Sequence, residues 1–208
     1  MPRVPDIGRL IAFEGTEGAG KSSQLHRAAE TLRGEGRRVA ITAEPGSTAL
    51  GRQLRELLLH GDATPVPLAE LFLYLADRAQ HVAEVIEPAL AEGSIVLTDR
   101  FSASTLAYQG YGRGLDLVSI TRADAWARTD LQPHLTLLFD VPVRVGLQRA
   151  RGHDRFHAEV EAFHERVRQG FHAQAAADPD AWQVIDATLP EAAVQGQVLA
   201  AIRTCIGS

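Results

Sequence analysis

Gly15-Thr16-Glu17-Gly18-Ala19-Gly20-Lys21-Ser22 fits G-x-x-x-x-G-K-[ST], the loop that wraps nucleotide phosphates. Gly15, Gly18 and Gly20 can take φ > 0 and let backbone N–H groups approach oxyanions with no Cβ in the way. Lys21 brings a compact positive charge to the β/γ-phosphates, and the Ser22 hydroxyl suits a Mg²⁺ ligand. Ser23 then opens a helix whose dipole presents its positive end to the same anion.

The flanks agree with this reading. Leu10-Ile11-Ala12-Phe13 is a short apolar run expected to form a buried strand. After the loop, Leu25, Ala28, Ala29 and Leu32 fall at i, i+3, i+4 and i+7, one face of a helix. The chain has 20 arginines and one lysine, and that lysine is Lys21.

A length of 208 residues predicts one domain over 1–208 with a substantial core. A net charge of −5 argues against broad binding to nucleic acid or a membrane surface, yet leaves room for an anionic small substrate in an arginine-lined cleft. The single cysteine, Cys205, permits no intrachain disulfide and fits a reducing compartment. No apolar run approaches the roughly 18–20 residues of a membrane span, and Pro2, Pro5 and Asp6 interrupt any signal-peptide core; the expectation is a cytoplasmic protein.

Strands and helices alternate, which predicts an α/β fold with a parallel sheet. Strands are expected at 10–13, 38–42, 94–98, 135–139 and 182–185, each followed by an acidic residue near its end: Glu14, Glu44, Asp99, Asp140 and Asp186. Ligands bind beyond the carboxyl ends of such strands. Asp140 and Asp186 are expected to cap the helices that follow them. A long helix is expected over 68–90, with Leu71, Leu75, Ala79, Val82 and Ile86 on one stripe. A helix from Ser102 to Gln109 is expected to end at Gly110, Gly112 and Gly114. Phe156, Val160, Phe163, Val167 and Phe171 read as the buried face of a further helix. Thr188 with Glu191 reads as a capping box for the last one.

Several stretches together resemble one family. They are Phe13-Glu14-Gly15 with the phosphate loop, Thr42-Ala43-Glu44-Pro45-Gly46, Ala76-Asp77-Arg78-Ala79-Gln80-His81, Asp99-Arg100-Phe101, and Ser104 through Gly114. In order and spacing, from about Leu10 to Asp186, they look like bacterial thymidylate kinases. The resemblance implies transfer of the ATP γ-phosphoryl to dTMP with Mg²⁺. It also implies the nucleoside monophosphate kinase fold, a five-stranded parallel sheet flanked by helices on both faces, a short lid near 149–157, and a homodimer.

By this resemblance Arg100 and Arg55 hold the dTMP phosphate, planar forks matched to its oxygens. Asp99 orients Mg²⁺ through water, or orients Arg100. Glu17 fits a subtype whose catalytic arginine sits in the lid, and Arg151 is the candidate among Arg149, Arg151 and Arg155. Tyr74 stacks on thymine, Arg78 donates to its O4, and Ser104, Thr105, Gln109, Glu44 and Pro45 finish the pocket. Tyr108 crowds a 2′-hydroxyl. For Arg55 a solvated helix face, and for Tyr74 a core position, are the competing readings from spacing alone.

The chain departs from the family pattern at Ala43, where Arg is usual, at Ser47, where a second Gly is common, and at His157, where Glu is typical. His153, His157, His164 and His172 read as exposed helix positions in preference to zinc ligands. A GTP-driven switch would need an Asn-Lys-x-Asp motif, and the chain has no asparagine. The remaining alternative is another phosphate-loop kinase acting on a different nucleoside monophosphate or a deoxynucleoside.

Overall fold

In the computed structural model, which describes residues 8–61, 64–150, 156 and 159–207, the strands β1 (Arg9–Glu14), β2 (Val39–Ala43), β3 (Ile95–Asp99), β4 (Leu135–Asp140) and β5 (Trp182–Asp186) run parallel in the order β2-β3-β1-β4-β5. Between them lie α1 (Lys21–Gly34), α2 (Ala49–Leu59), α3 (Pro67–His81), α4 (Glu87–Ala91), α5 (Ser102–Thr105), α6 (Leu117–Ala127), α7 (Val143–Arg149) and α8 (Glu161–Ala177), and α9 (Glu191–Ile206) follows β5.

β1 explains the layering. Its residues from Leu10 to Glu14 are all buried, as a central parallel strand covered on both faces requires. Ile11 and Phe13 point to one face and pack with Leu25, Ala28 and Leu32 of α1 and Val198 and Ile202 of α9. Leu10 and Ala12 point to the other and pack with Val82, Ile86 and Phe101. Burial of such side chains stabilises by roughly 1.5–3 kcal/mol each. The chain leaves β1 for the edge at β2, returns to β3 beside β1, and then crosses to β4 on the other side. The order therefore reverses at β1, and a crevice opens beyond its carboxyl end.

Several expectations are corrected. The long helix is not uniform: a π turn, Val82–Ile86, joins α3 to α4, with the Glu87 N–H returning to Val82 five residues back. Pro88, which has no N–H to give, lies just beyond this wider turn. Ala79 faces solvent, and Arg78 takes its place on the buried stripe. The helix after β3 does not end at Gly110 or Gly112; it continues as a π segment, Leu106–Gly112, and turns at Gly114. Gly112 is retained there for close approach, since a Cβ would lie 2.7 Å from the Phe163 ring.

Val160 is the exposed N-cap of α8 and not part of its buried face, and Phe156 is buried from outside the helix. Thr188 does not cap α9: Pro190 is the N-cap, and Thr188 donates instead to Asp186 Oδ1 from its backbone N–H (2.9 Å) and hydroxyl (2.6 Å). Asp140 likewise caps nothing. It accepts two bonds from Arg168 (2.7 and 2.8 Å) and lies 3.0 Å from His172 Nε2.

Candidate active site

The loop after β1 carries Gly15, Gly18 and Gly20 at φ 137°, 68° and 85°. Lys21 Nζ donates to the carbonyls of Gly15 (2.9 Å) and Thr16 (2.7 Å), which hold it at the floor of the loop. Burial pushes the Lys21 ammonium down to about 8; Arg100 acts in the same direction, against Asp99, Glu17 and Glu14. Glu17 to Ser23 line an open cleft of about 850 Å³, whose far wall includes Arg149, Ala150, Ala187 and Leu189. Arg149 donates to the Ala187 carbonyl at 2.9 Å. α7 rests directly on the loop: a Cβ on Gly18 would lie 1.9 Å from the Gly146 carbonyl oxygen, and one on Gly146 would lie 2.5 Å from that of Glu17.

The Ser22 hydroxyl donates to Asp99 Oδ2 across the β1–β3 boundary. Among the described residues no group of three or more His, Cys, Asp or Glu converges on a metal position. Mg²⁺ needs none, because it keeps several waters and takes phosphate oxygens beside one or two protein oxygens. The hard oxygen pair of Ser22 and Asp99 fits it.

Arg100 follows β3 with φ 71°, a left-handed conformation that is uncommon for a residue with a side chain. Its Nη1 donates to the Gly15 carbonyl (3.1 Å) and Ser104 Oγ (3.0 Å), and its Nη2 to Glu17 Oε1 (3.3 Å) and Tyr108 OH (3.1 Å). Glu14 steadies this corner from β1, accepting from the N–H groups of Phe101 (2.8 Å) and Ser104 (3.2 Å) and from Ser104 Oγ (2.6 Å). Burial raises the Glu14 carboxyl to about 7 despite Arg100, Ser104, Phe101 and Lys21. Burial would raise Glu17 as well, but His164, Arg100, Lys21 and Tyr108 together hold it below the usual carboxylate range.

Arg78 is 1% exposed and works as a hub. Its Nη1 donates to Thr105 Oγ1 (2.8 Å) and Asp124 Oδ1 (2.6 Å), while Nε and Nη2 donate to Glu44. Those four bonds use four of its five N–H groups, leaving one on Nη2. Glu44 Oε1 faces His81 Nδ1 at 2.8 Å.

One cavity of about 130 Å³ is lined by all ten residues singled out for the acceptor: Glu44, Pro45, Arg55, Tyr74, Arg78, Arg100, Ser104, Thr105, Tyr108 and Gln109. Arg55 donates to the Pro45 carbonyl (2.8 Å), and Gln109 to Glu70 (2.8 Å). A second opening, about 410 Å³, is lined by Lys21, Ser22 and Asp99 on one side and by Arg55 and Arg100 on the other. The phosphate loop and the cavity thus meet at one junction. At the departure Ser47, the hydroxyl accepts from the Ala43 N–H and donates to its carbonyl, both at 2.8 Å, bracing the turn that carries Glu44.

Sequence reasoning missed Leu59, Phe101 and Phe156 in the cavity wall, and Asp124 behind Arg78. Asp124 falls four residues after the buried Ile120; a carboxylate on an apolar stripe signals a buried cation. His164 is a correction: it is 1% exposed, with Nδ1 3.2 Å from Glu17 Oε2. Arg151, His153, Arg155 and His157 lie outside the described residues.

Comparison with known proteins gives one consistent result. A family model described as "Thymidylate kinase" matches residues 13–198. The chain is similar to a thymidylate kinase of Synechococcus sp. (strain JA-2-3B'a(2-13)), 58% identical over 170 residues, covering 82% of each chain. It is also similar to one of Pseudomonas fluorescens (strain SBW25), 49% identical over 203 residues, covering 96% of this chain and 97% of that one. Among solved structures, the crystal structure of thymidylate kinase from Ehrlichia chaffeensis superposes with a TM-score of 0.78 at 33% identity, covering 94% and 98% of the two chains.

Proposed function

The chain belongs to the thymidylate kinase family and transfers the γ-phosphoryl of ATP to dTMP, giving dTDP and ADP; we propose that the phosphate loop holds the donor while the cavity under Arg78 and Arg100 holds the acceptor. The observation that carries this reading is the shared junction. Arg55 and Arg100 belong both to the acceptor cavity and to the opening that reaches Lys21, Ser22 and Asp99.

Phosphoryl transfer needs in-line placement and cations around the transferring oxygens more than covalent help. An acceptor phosphate oxygen forms the new bond to the γ-phosphorus as the bond to the β-bridging oxygen breaks. Lys21 leaves its two carbonyls for the β/γ-phosphate oxygens, and the loop amides from Glu17 to Ser22 receive the remaining charge. Arg100 and Arg55 hold the acceptor phosphate. Ser22 and Asp99 are the residues that would hold Mg²⁺, which when bound neutralises phosphate charge. Tyr74 stacks on the thymine ring, and the remaining Nη2 hydrogen of Arg78 donates to its O4. Tyr108 lies against the sugar. By the family resemblance, Arg151 is the arginine assigned to the transferring group, within one kinase domain over the whole chain.

Two arginines at the junction favour an acceptor that already bears a phosphate over a deoxynucleoside. A homodimer is supported by α3 and α6, which pack together through Leu71, Leu75 and Ile120 yet leave Phe72, Val118 and Trp126 exposed. Among the described residues no helix is long and apolar enough to cross a membrane; a cytoplasmic enzyme fits the free cysteine. ADP release measured against dTMP, dUMP, dCMP, AMP and thymidine tests the acceptor assignment, and preference for thymidine over dTMP would overturn it.

A further inference from the structure

His164 lies on α8 among Phe163, Val167 and Phe171, sealed from solvent. An imidazole carries one or two N–H donors and is costly to bury without partners. Among the described residues, neither ring nitrogen completes a well-angled hydrogen bond, and Glu17 Oε2 is in the same position. The two groups face each other, Nδ1 to Oε2, at 3.2 Å. The other oxygen of the same carboxylate, Oε1, accepts from Tyr108 OH at 2.5 Å and from Arg100 Nη2 at 3.3 Å. A single carboxylate therefore stands between a buried histidine on α8 and the guanidinium at the junction of the two sites. Packing alone gives no reason for an imidazole here, since a phenyl or isobutyl group would fill the space without an unpaired polar atom.

We infer that His164 is a positioning residue for the phosphoryl transfer: by engaging Glu17 Oε2 it fixes the carboxylate whose other oxygen aims Arg100 and Tyr108 at the acceptor. The inference rests on the assignment of Arg100 to the acceptor phosphate. It adds a link between α8 and that aim, carried by a side-chain contact and not by the chain connection. His164 does not itself line the donor cleft; Glu17 does, but the expected effect falls on the acceptor side, where Oε1 meets Arg100 and Tyr108.

The test is a kinetic double-mutant cycle with folding checked by thermal melts. His164→Phe keeps an aromatic ring, somewhat larger than the imidazole, and removes the nitrogens; His164→Asn keeps a donor near the position of Nδ1. His164→Phe lowers kcat/KM for dTMP about tenfold with KM for ATP unchanged, and His164→Asn recovers most of the loss. In a Glu17→Gln background the same Phe substitution changes kcat/KM by less than about twofold. Where the Phe ring is not accommodated, His164→Leu is read in its place. Wild-type dTMP kinetics in His164→Phe, or an equal loss in both backgrounds, overturns the inference. Arg100→Gln separates the two claims. If it spares dTMP kinetics, the assignment of Arg100 falls; if it is damaging while His164→Phe is silent, only the role of His164 falls.

Discussion

Arg78 and Glu44 form an ion pair withdrawn from solvent, with Nε at 2.9 Å and Nη2 at 2.7 Å from one carboxylate oxygen. The pair lies in the wall of the acceptor cavity, so the group assigned to the base is also a structural cation. Arg78→Ala takes the buried guanidinium from both carboxylates, leaving Glu44 with His81 and Asp124 with Arg128 and Ser102. It is expected to cost about 3–5 kcal/mol of stability and to raise KM for dTMP more than KM for ATP. Urea unfolding and paired KM measurements check both halves.

Lys21→Ala removes the only lysine and the cation at the floor of the loop. Turnover is expected to fall by on the order of 10²–10³ or more, because the lost group acts on charge that develops during transfer. ADP release at saturating ATP and dTMP is the measurement. A loss confined to KM for ATP would mean that Lys21 only binds the donor.

The free enzyme holds Lys21 at about 8, so its ammonium is present below that pH and lost above it. The profile of kcat/KM for ATP, which reports the free enzyme, is expected to fall as pH rises through about 8. The profile of kcat is expected to be flatter there, because bound phosphates favour the charged form.

A donor from Arg78 aimed at position 4 of the base accepts a carbonyl and refuses an amino group. dCMP is expected to be rejected on the order of 10⁴-fold relative to dTMP. dUMP lacks only a methyl group, worth about 1–3 kcal/mol, and is expected to be a measurable substrate. Relative kcat/KM values for the three monophosphates decide the matter.

Glu14 carries a pH-dependent cost. Its carboxyl sits at about 7 in the fold against 4.5 in an open chain, so the native state holds the proton longer. The stability this gives is fully present below pH 4.5 and is lost as pH rises through about 7. Glu14→Gln removes that slope. Between pH 5 and 8 wild type is expected to lose roughly 2.5 kcal/mol more than the variant, as read from unfolding curves at each pH.

The strands were legible because central parallel strands are apolar without alternation, and Leu10–Phe13 and Leu135–Phe139 are such runs. The loop was legible because its chemistry dictates glycines and one lysine at fixed spacing. The ten residues assigned to the acceptor, which line one cavity, came from a family likeness; spacing alone left Tyr74 and Arg55 ambiguous, since neither a helix aromatic nor a helix arginine declares which side of a pocket it joins. What escaped notice was polarity placed inside. Asp124 and His164 both sit on apolar stripes, and the stripe spacing pointed inward for each, yet polarity argued outward. Their partners, Arg78 and Glu17, are 46 and 147 residues away, beyond the reach of local pattern. Phe156 was expected to be buried, but on a helix face; it lies outside α8, and its place in the cavity wall escaped notice.

The contact of Gly18 with Gly146 binds the fate of two distant stretches together. Neither position tolerates even a methyl group while the other keeps its backbone where it is, so no sequence of single replacements can widen the gap gradually. The nucleotide cradle is therefore shaped in part by a helix with no ligand-binding group of its own at that point. A lineage that altered α7 there would have to redraw the cradle in the same step.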